Sequence, residues 1–290
     1  MGTLYLVATP IGNLEDLSPR ARRVLGEVAL VAAEDTRRTG QLLHHCGLKT
    51  SLISYWEHNK LSRLDDILAR LETGDVALVS DAGTPNLSDP GYELVRAVLK
   101  AGHAVTPIPG PSALLAALAA SGLPTDAFVY LGFLPRKAGE RRQLLRSVAA
   151  EPRTLVAFES PHRLLAALAD MEAELGDRPA AVARELTKLH EEIYRGLLSA
   201  AWAHFSAKEI LGEITLVVAG AALQPRAVWP PERVLAEVER RLAGSERLKD
   251  AVRATATQAG WTARAVYDLA ARPAVGGPDS DSTNASPDTE

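Results

Sequence analysis

An α/β protein is expected, with two α/β domains followed by a small helical appendage, and three observations carry that expectation. Short apolar runs bounded by Gly, Pro, Ser and Asp alternate with amphipathic stretches along most of the 290 residues, as strands alternate with helical crossovers. Several of these runs lack polar alternation, which suits strands covered on both faces of a parallel sheet. After Pro230-Pro231 the strand signal stops and only helical periodicity remains.

Thr3 to Ala8 opens as a strand, and Ser18 then caps a helix with Pro19 in its first turn and Arg20 to Leu25 as its body. Ala29 to Ala33 is a strand, Thr36 caps a helix that Gly47 ends, Ser51 to Ser54 is a short strand, and Leu61 to Leu71 is amphipathic up to Gly74. Val76 to Val79, a helix from Gly91 to Ala101, and Val105 to Ile108 follow; Ser112 caps an Ala/Leu helix closed by Gly122. Strands separated by helices imply a mainly parallel sheet with right-handed crossovers. The second series is Phe128 to Phe133, Thr154 to Phe158, a helix from Pro161 to Leu175, Ala180 to Arg184, and Ile214 to Ala219. The expected domains are therefore 1–122, 123–222 and a helical piece over 230–272. The last piece comprises Glu232 to Leu242, Arg247 to Gln258 and Thr262 to Ala271, with too little apolar surface for a core of its own.

Residues 273–290 read as a disordered tail carrying Asp279, Asp281, Asp288 and Glu290 and no Lys or Arg. Those acids account for the whole formal charge of -4, so the rest of the chain is balanced; overall charge gives no field for binding nucleic acid, a local patch stays open, and no DNA partner is expected. With 47% hydrophobic and 23% charged residues, interrupted apolar stretches and no leader pattern, a cytoplasmic globular protein without a membrane partner is expected. Cys46 is the single cysteine, which excludes an internal disulfide and a Cys-based zinc cluster. His44-His45-Cys46 and His190-Glu191-Glu192 lack ligand spacing, so no metal is expected.

No Gly-x-Gly-x-x-Gly fingerprint or Walker phosphate loop occurs. Three Gly/Pro-bearing loops instead follow apolar strands: Thr9-Pro10-Ile11-Gly12-Asn13, Ser80-Asp81-Ala82-Gly83-Thr84-Pro85 and Ile108-Pro109-Gly110-Pro111-Ser112-Ala113. Ligands of open α/β sheets bind beyond the carboxyl ends of strands, so these loops are the expected site. They expose amides and carbonyls with few charges, which suits a ligand bearing an adenine, a ribose and an amino acid but no pyrophosphate. The competing reading is three tight turns serving topology.

Val7-Ala-Thr-Pro-Ile-Gly-Asn, Ala33-Glu-Asp-Thr-Arg, Val79-Ser-Asp-Ala-Gly-Thr-Pro, Ser88-Asp-Pro-Gly, Pro107-Ile-Pro-Gly-Pro-Ser-Ala, Glu159-Ser-Pro-His-Arg and Ala183-Arg-Glu-Leu-Thr-Lys together resemble the ribosomal RNA small subunit methyltransferase I family. The resemblance spans roughly Leu4 to Ala219 and implies the tetrapyrrole methylase fold, with S-adenosylmethionine in a cleft between two α/β domains. It implies 2'-O-methylation of a cytidine ribose in the decoding region of 16S rRNA, the small ribosomal subunit as partner, and a homodimer. It also implies cofactor contacts at Pro10, at Asp81, Ala82, Gly83, Thr84, Pro85 and Leu87, and at Ser112 and Ala113, with Glu159 and Thr215 closing the site from the second domain. The loop reads Thr84-Pro85-Asn86-Leu87, where relatives commonly carry Gly at the third place. A corrin-precursor methylase of the same fold and a non-enzymatic binding module are the alternatives.

Methyl transfer to a hydroxyl is an in-line displacement that needs positioning, and it gains from a proton acceptor and a nearby cation. Asp35 or Glu185 as acceptor and Lys188 or Arg37 as cation are the candidates; the alternative is that all four are salt-bridge and capping residues. Arg136, Lys137, Arg141, Arg142 and Arg146 against Glu140 form a basic segment expected to meet RNA phosphates.

Overall fold

A computed structural model describes residues 2–222 and 228–271, so the expected tail at 273–290 lies outside the described residues. The chain divides into two compact units, Met1–Ala221 and Ala222–Glu290.

The first unit holds two five-stranded sheets. Sheet one contains β1 (Thr3–Val7), β2 (Leu30–Ala33), β3 (Leu52–Ser54), β4 (Val76–Val79) and β5 (Ala104–Ile108), in the order β3-β2-β4-β1-β5 with every pairing parallel. Every residue of β2 and β4 is buried, which is why they read as unbroken apolar runs. Pro107 is tolerated inside β5 because β5 is an edge strand that pairs only with β1. Helices α1 (Pro19–Glu27), α2 (Thr36–His45), α3 (Leu64–Leu71) and α4 (Tyr92–Lys100) connect these strands. Ser18 accepts a hydrogen bond from Ala21 N and caps α1, whereas α2 is capped by Asp35, not Thr36.

Helix α5 (Ala113–Ala120) is capped by Ser112, and its residues Leu114, Ala117 and Leu118 share one apolar cluster with Val156, Ala181 and Val217 of the second sheet. That sheet contains β6 (Phe128–Phe133), β7 (Thr154–Glu159), β8 (Pro179–Arg184), β9 (Glu192–Leu197) and β10 (Ile214–Val218), ordered β6-β7-β10-β8-β9. Only β6 and β7 run parallel; the other pairings are antiparallel. The sheet is mixed because β9 and β10 run against the other three strands. A register shift between Tyr130 and Phe133, with Gly132 at φ 68, makes a bulge that re-aims the end of β6. Helices α6 (Ala138–Ser147), α7 (Leu164–Leu175) and α8 (Leu198–Ser206) cover it.

The second unit holds α9 (Pro231–Ala243), α10 (Leu248–Ala259) and α11 (Ala263–Ala270). It does have a core of its own: Val234, Val238, Val252, Ala256, Ala259 and Val266 are buried together, with Trp229 and Trp261 packed against them. The two tryptophans supply the apolar area that the aliphatic residues alone lack. Trp261 Nε1 donates to Trp229 O at 2.9 Å, and the Arg233 guanidinium lies 4.1 Å over the Trp229 ring.

Candidate active site

The three Gly/Pro loops are stitched to one another. Thr9 N donates to Gly83 O at 2.9 Å and Gly83 N to Thr9 O at 3.0 Å, a single antiparallel bridge beyond the strand ends. Thr84 Oγ1 donates to Pro111 O at 3.3 Å, and Gly110 lies so close to Ala8 that an added Cβ would meet Ala8 Cβ at 3.1 Å. Gly83 sits at φ 82, where side chains are strained. Asn86 has φ 70 in the same loop, and Asn is the residue that best tolerates that region after glycine.

These loops floor a cavity of about 350 Å³ inside the first unit, within the size range of ligand clefts. Of the residues expected to hold the cofactor, Asp81, Ala82, Gly83, Thr84, Leu87, Ser112, Ala113, Glu159 and Thr215 line it. Pro85 is buried behind the loop and Pro10 lines a second cavity. The bulge in β6 brings Phe133 to the rim, 57% exposed, with its ring centroid 5.4 Å from that of Phe158.

The wall is acidic. Glu34, Asp81, Asp89, Glu159 and Glu213 face the cavity, and Arg38 is the one cation among the described residues lining it. Burial, reinforced by the Glu34 charge, pushes the Asp89 carboxyl up to about 7. Burial also raises Glu34, although its Oε2 accepts from Asp81 N at 3.2 Å. Glu159 is raised by burial too. Its Oε1 accepts from Ser160 N at 2.6 Å and pairs with Arg163 Nη2 at 2.7 Å, while its buried Oε2 has no partner among the described residues.

The four residues expected to act in catalysis line neither cavity. Asp35 and Arg37 pair at 2.7 Å, and Asp35 also accepts from Arg37 N at 2.8 Å as the cap of α2. Those hydrogen bonds hold the Asp35 carboxyl far below its usual range, which makes it a poor proton acceptor. Lys188 Nζ donates to Glu185 at 2.8 Å and to Glu213 at 3.3 Å, lowering Glu185 and, against the opposing effect of burial, raising Lys188. Geometry therefore favours the salt-bridge and capping reading for all four. Asp89 and Glu34 went unassigned, although Asp89 stands in a Ser-Asp-Pro-Gly turn downstream of a fully buried strand.

The basic segment is largely paired. Arg141, expected on the RNA-facing surface, is 4% exposed, with Nε donating to Asp170 at 2.7 Å. Arg142 Nε binds the same carboxylate at 2.6 Å, Arg146 binds Glu174 at 2.7 Å and 2.8 Å, and Lys137 pairs with Glu140 at 3.0 Å. Their partners come from α7 and from α6 itself, so the surface charge is lower than the run of cations suggests.

Residues 3–201 match the profile of the tetrapyrrole (corrin/porphyrin) methylases. Two crystal structures of uroporphyrin-III C-methyltransferase from Thermus thermophilus share the fold. One has a TM-score of 0.51 at 21% identity, covering 75% of this chain and 94% of that one. The other has a TM-score of 0.54 at 21% identity, covering 74% and 97%. Fold and site thus define an S-adenosylmethionine-dependent methylase of the tetrapyrrole methylase class.

Among curated relatives, a ribosomal RNA small subunit methyltransferase I from Synechocystis sp. is 49% identical over 93% of this chain and 97% of its own length. Proteins of the same name from Thermotoga maritima and Pseudomonas aeruginosa are 51% and 53% identical over 76% of this chain, covering 99% and 79% of their own lengths. The chain belongs to the ribosomal RNA small subunit methyltransferase I family.

The cavity fits the cofactor. Its carboxylates complement a sulfonium and an ammonium group, the unpartnered Glu159 Oε2 awaits a donor, and Ile11, Leu87 and Phe158 offer apolar surface to an adenine. Replacing Glu159 by Gln is expected to weaken cofactor binding about 10- to 100-fold, because a hydrogen bond to a charged group contributes about 1.5–3 kcal/mol. Calorimetric titration measures this, and a change below threefold would show that Oε2 does not meet the ligand.

Proposed function

We propose that this chain transfers a methyl group from S-adenosylmethionine to the 2'-oxygen of a cytidine ribose in the decoding region of 16S rRNA, acting in the cytoplasm as a homodimer on the small ribosomal subunit. The observation that carries the reading is the acidic cavity floored by three stitched loops in a chain about half identical to proteins of that name over most of its length. Bound cofactor supplies an electrophilic methyl on a positively charged sulfur. The cavity carboxylates hold that charge, and the stitched floor fixes its direction. The bound cofactor would supply the methyl as an electrophile and leave as a neutral thioether, and Asp89, which lines the cavity, would accept the proton of the acceptor hydroxyl. A carboxylate near neutrality is matched to that task. Arg38, at the cavity wall, steadies charge developing on the acceptor oxygen. Phe133 and the exposed Arg136 and Lys137 that follow it stand where a nucleic acid strand would enter.

The test incubates the chain and methyl-labelled cofactor with small ribosomal subunits lacking the modification, and in parallel with corrin precursors. Label recovered in a 2'-O-methylcytidine supports the reading. Label only in the macrocycle supports the corrin alternative, and cofactor binding without transfer to either supports a binding module.

A further inference from the structure

A second cavity, of about 210 Å³, adjoins the first and has no part in the account above. Its walls include Pro10 from the loop after β1, Leu14 from the single turn that follows, and Thr39, Gln41 and Leu42 from α2. Arg38 and Asp81 line both cavities and pair with each other, Nη1 to Oδ2 at 3.3 Å, so the two spaces meet at this ion pair. The halves of this pair differ in their surroundings. Asp81 is fixed, its Oδ1 accepting from Asp35 N at 3.0 Å and its own N donating to Glu34 at 3.2 Å. The Arg38 side chain is 63% exposed, surrounded mostly by solvent and not by packing.

We propose that this second cavity seats the base of the acceptor nucleotide, a pyrimidine taken out of its stack, with its ribose at the Arg38–Asp81 pair. The inference rests on the methyl-transfer reading above and adds to it the place of the substrate and the residue that touches its edge. One glycosidic bond joins base to ribose, so a base whose sugar oxygen meets the methyl must lodge within a sugar's width of the cofactor cavity. The space behind Arg38 and Asp81 meets this condition, since it shares both residues with the cofactor cavity. Its size admits a single aromatic ring. Pro10, Leu14 and Leu42 give apolar surface for the ring faces. Gln41, exposed on α2, brings an amide with both donor and acceptor to the ring edge, the combination used to read extruded bases. Arg38 then has two tasks, pairing with Asp81 in the free chain and turning its guanidinium to the ribose or its phosphate when the nucleotide enters.

Two variants test this. Leu14→Trp fills the cavity from a position that is 46% exposed, so the fold is kept. Gln41→Ala removes the amide. Both are assayed on small ribosomal subunits with labelled cofactor, and both are titrated calorimetrically with S-adenosylhomocysteine. Leu14→Trp is expected to lower kcat/KM for the subunit at least tenfold and Gln41→Ala to raise KM about tenfold, the loss of one hydrogen bond, with ligand affinity within about twofold of the parent. Wild-type methylation by both variants would overturn the proposal. So would a fall in S-adenosylhomocysteine affinity, which would assign the cavity to the cofactor. An unsubstituted chain that binds S-adenosylhomocysteine yet leaves subunits unlabelled refutes the methyl-transfer reading itself, and that outcome is visible before either variant is made.

Discussion

Asp89→Asn is expected to lower turnover by about 100-fold or more at neutral pH, the usual contribution of a positioned general base. Burial and the neighbouring Glu34 hold the Asp89 carboxyl at about 7, so in the parent chain turnover should rise with pH through that value and level off above it. In the variant that rise should disappear. Stability should move the other way. A carboxyl raised in the folded state contributes stability that is fully present below its unfolded pKa and is lost as pH climbs to about 7. The ligand-free parent therefore weakens between about pH 4 and pH 7, and the variant, which carries no charge there, should not. Initial rates and thermal melts across that range check both limbs. Turnover within threefold of the parent would remove Asp89 from the mechanism.

Arg141→Ala should cost about 3 kcal/mol of folding stability, the low end for breaking a buried ion pair, because Arg142 still reaches the other oxygen of Asp170. Arg141 and Asp170 side chains are 5% and 6% exposed, and the guanidinium also donates to the carbonyls of Pro135 and Arg136 at 3.3 Å and 3.4 Å. Asp170 Oδ2 and the two carbonyls lose the Arg141 donor together. At this chain length the loss corresponds to a fall in Tm of roughly 6–12 °C. Arg146→Ala, which breaks an exposed pair, should cost less than about 1 kcal/mol. Urea melts of the two variants measure the contrast, and equal small losses would mean that the Arg141 pair contributes no more than a surface one.

The first sheet was legible because its strands are short apolar runs set between Gly and Pro, a local signal that burial on both faces produces. The loops that floor the cavity were legible for the same reason, since Gly83 and Gly110 mark places where backbone must turn or approach closely. Strand β9 escaped notice. Glu-Ile-Tyr-Arg-Gly-Leu has no apolar run, as expected of an edge strand that pairs only with β8. The pairing of the charged residues was not legible, for a different reason. Arg141 meets the Asp170 carboxylate across 29 positions and the Asp81 backbone amide meets the Glu34 carboxylate across 47, and no local pattern reports which distant groups the fold will bring together. Asp35 and Glu185 looked reactive at strand ends, but each has its own cation a few residues away and is neutralised by it.

The reciprocal amides of Thr9 and Gly83 have a thermodynamic consequence. Because the loops join while the chain folds, little ordering is left for the moment of capture, so the association entropy should resemble that of a rigid receptor. Hydrogen exchange at those two amides should then require opening of the parallel sheet itself, and conditions that loosen the sheet should abolish binding in one step.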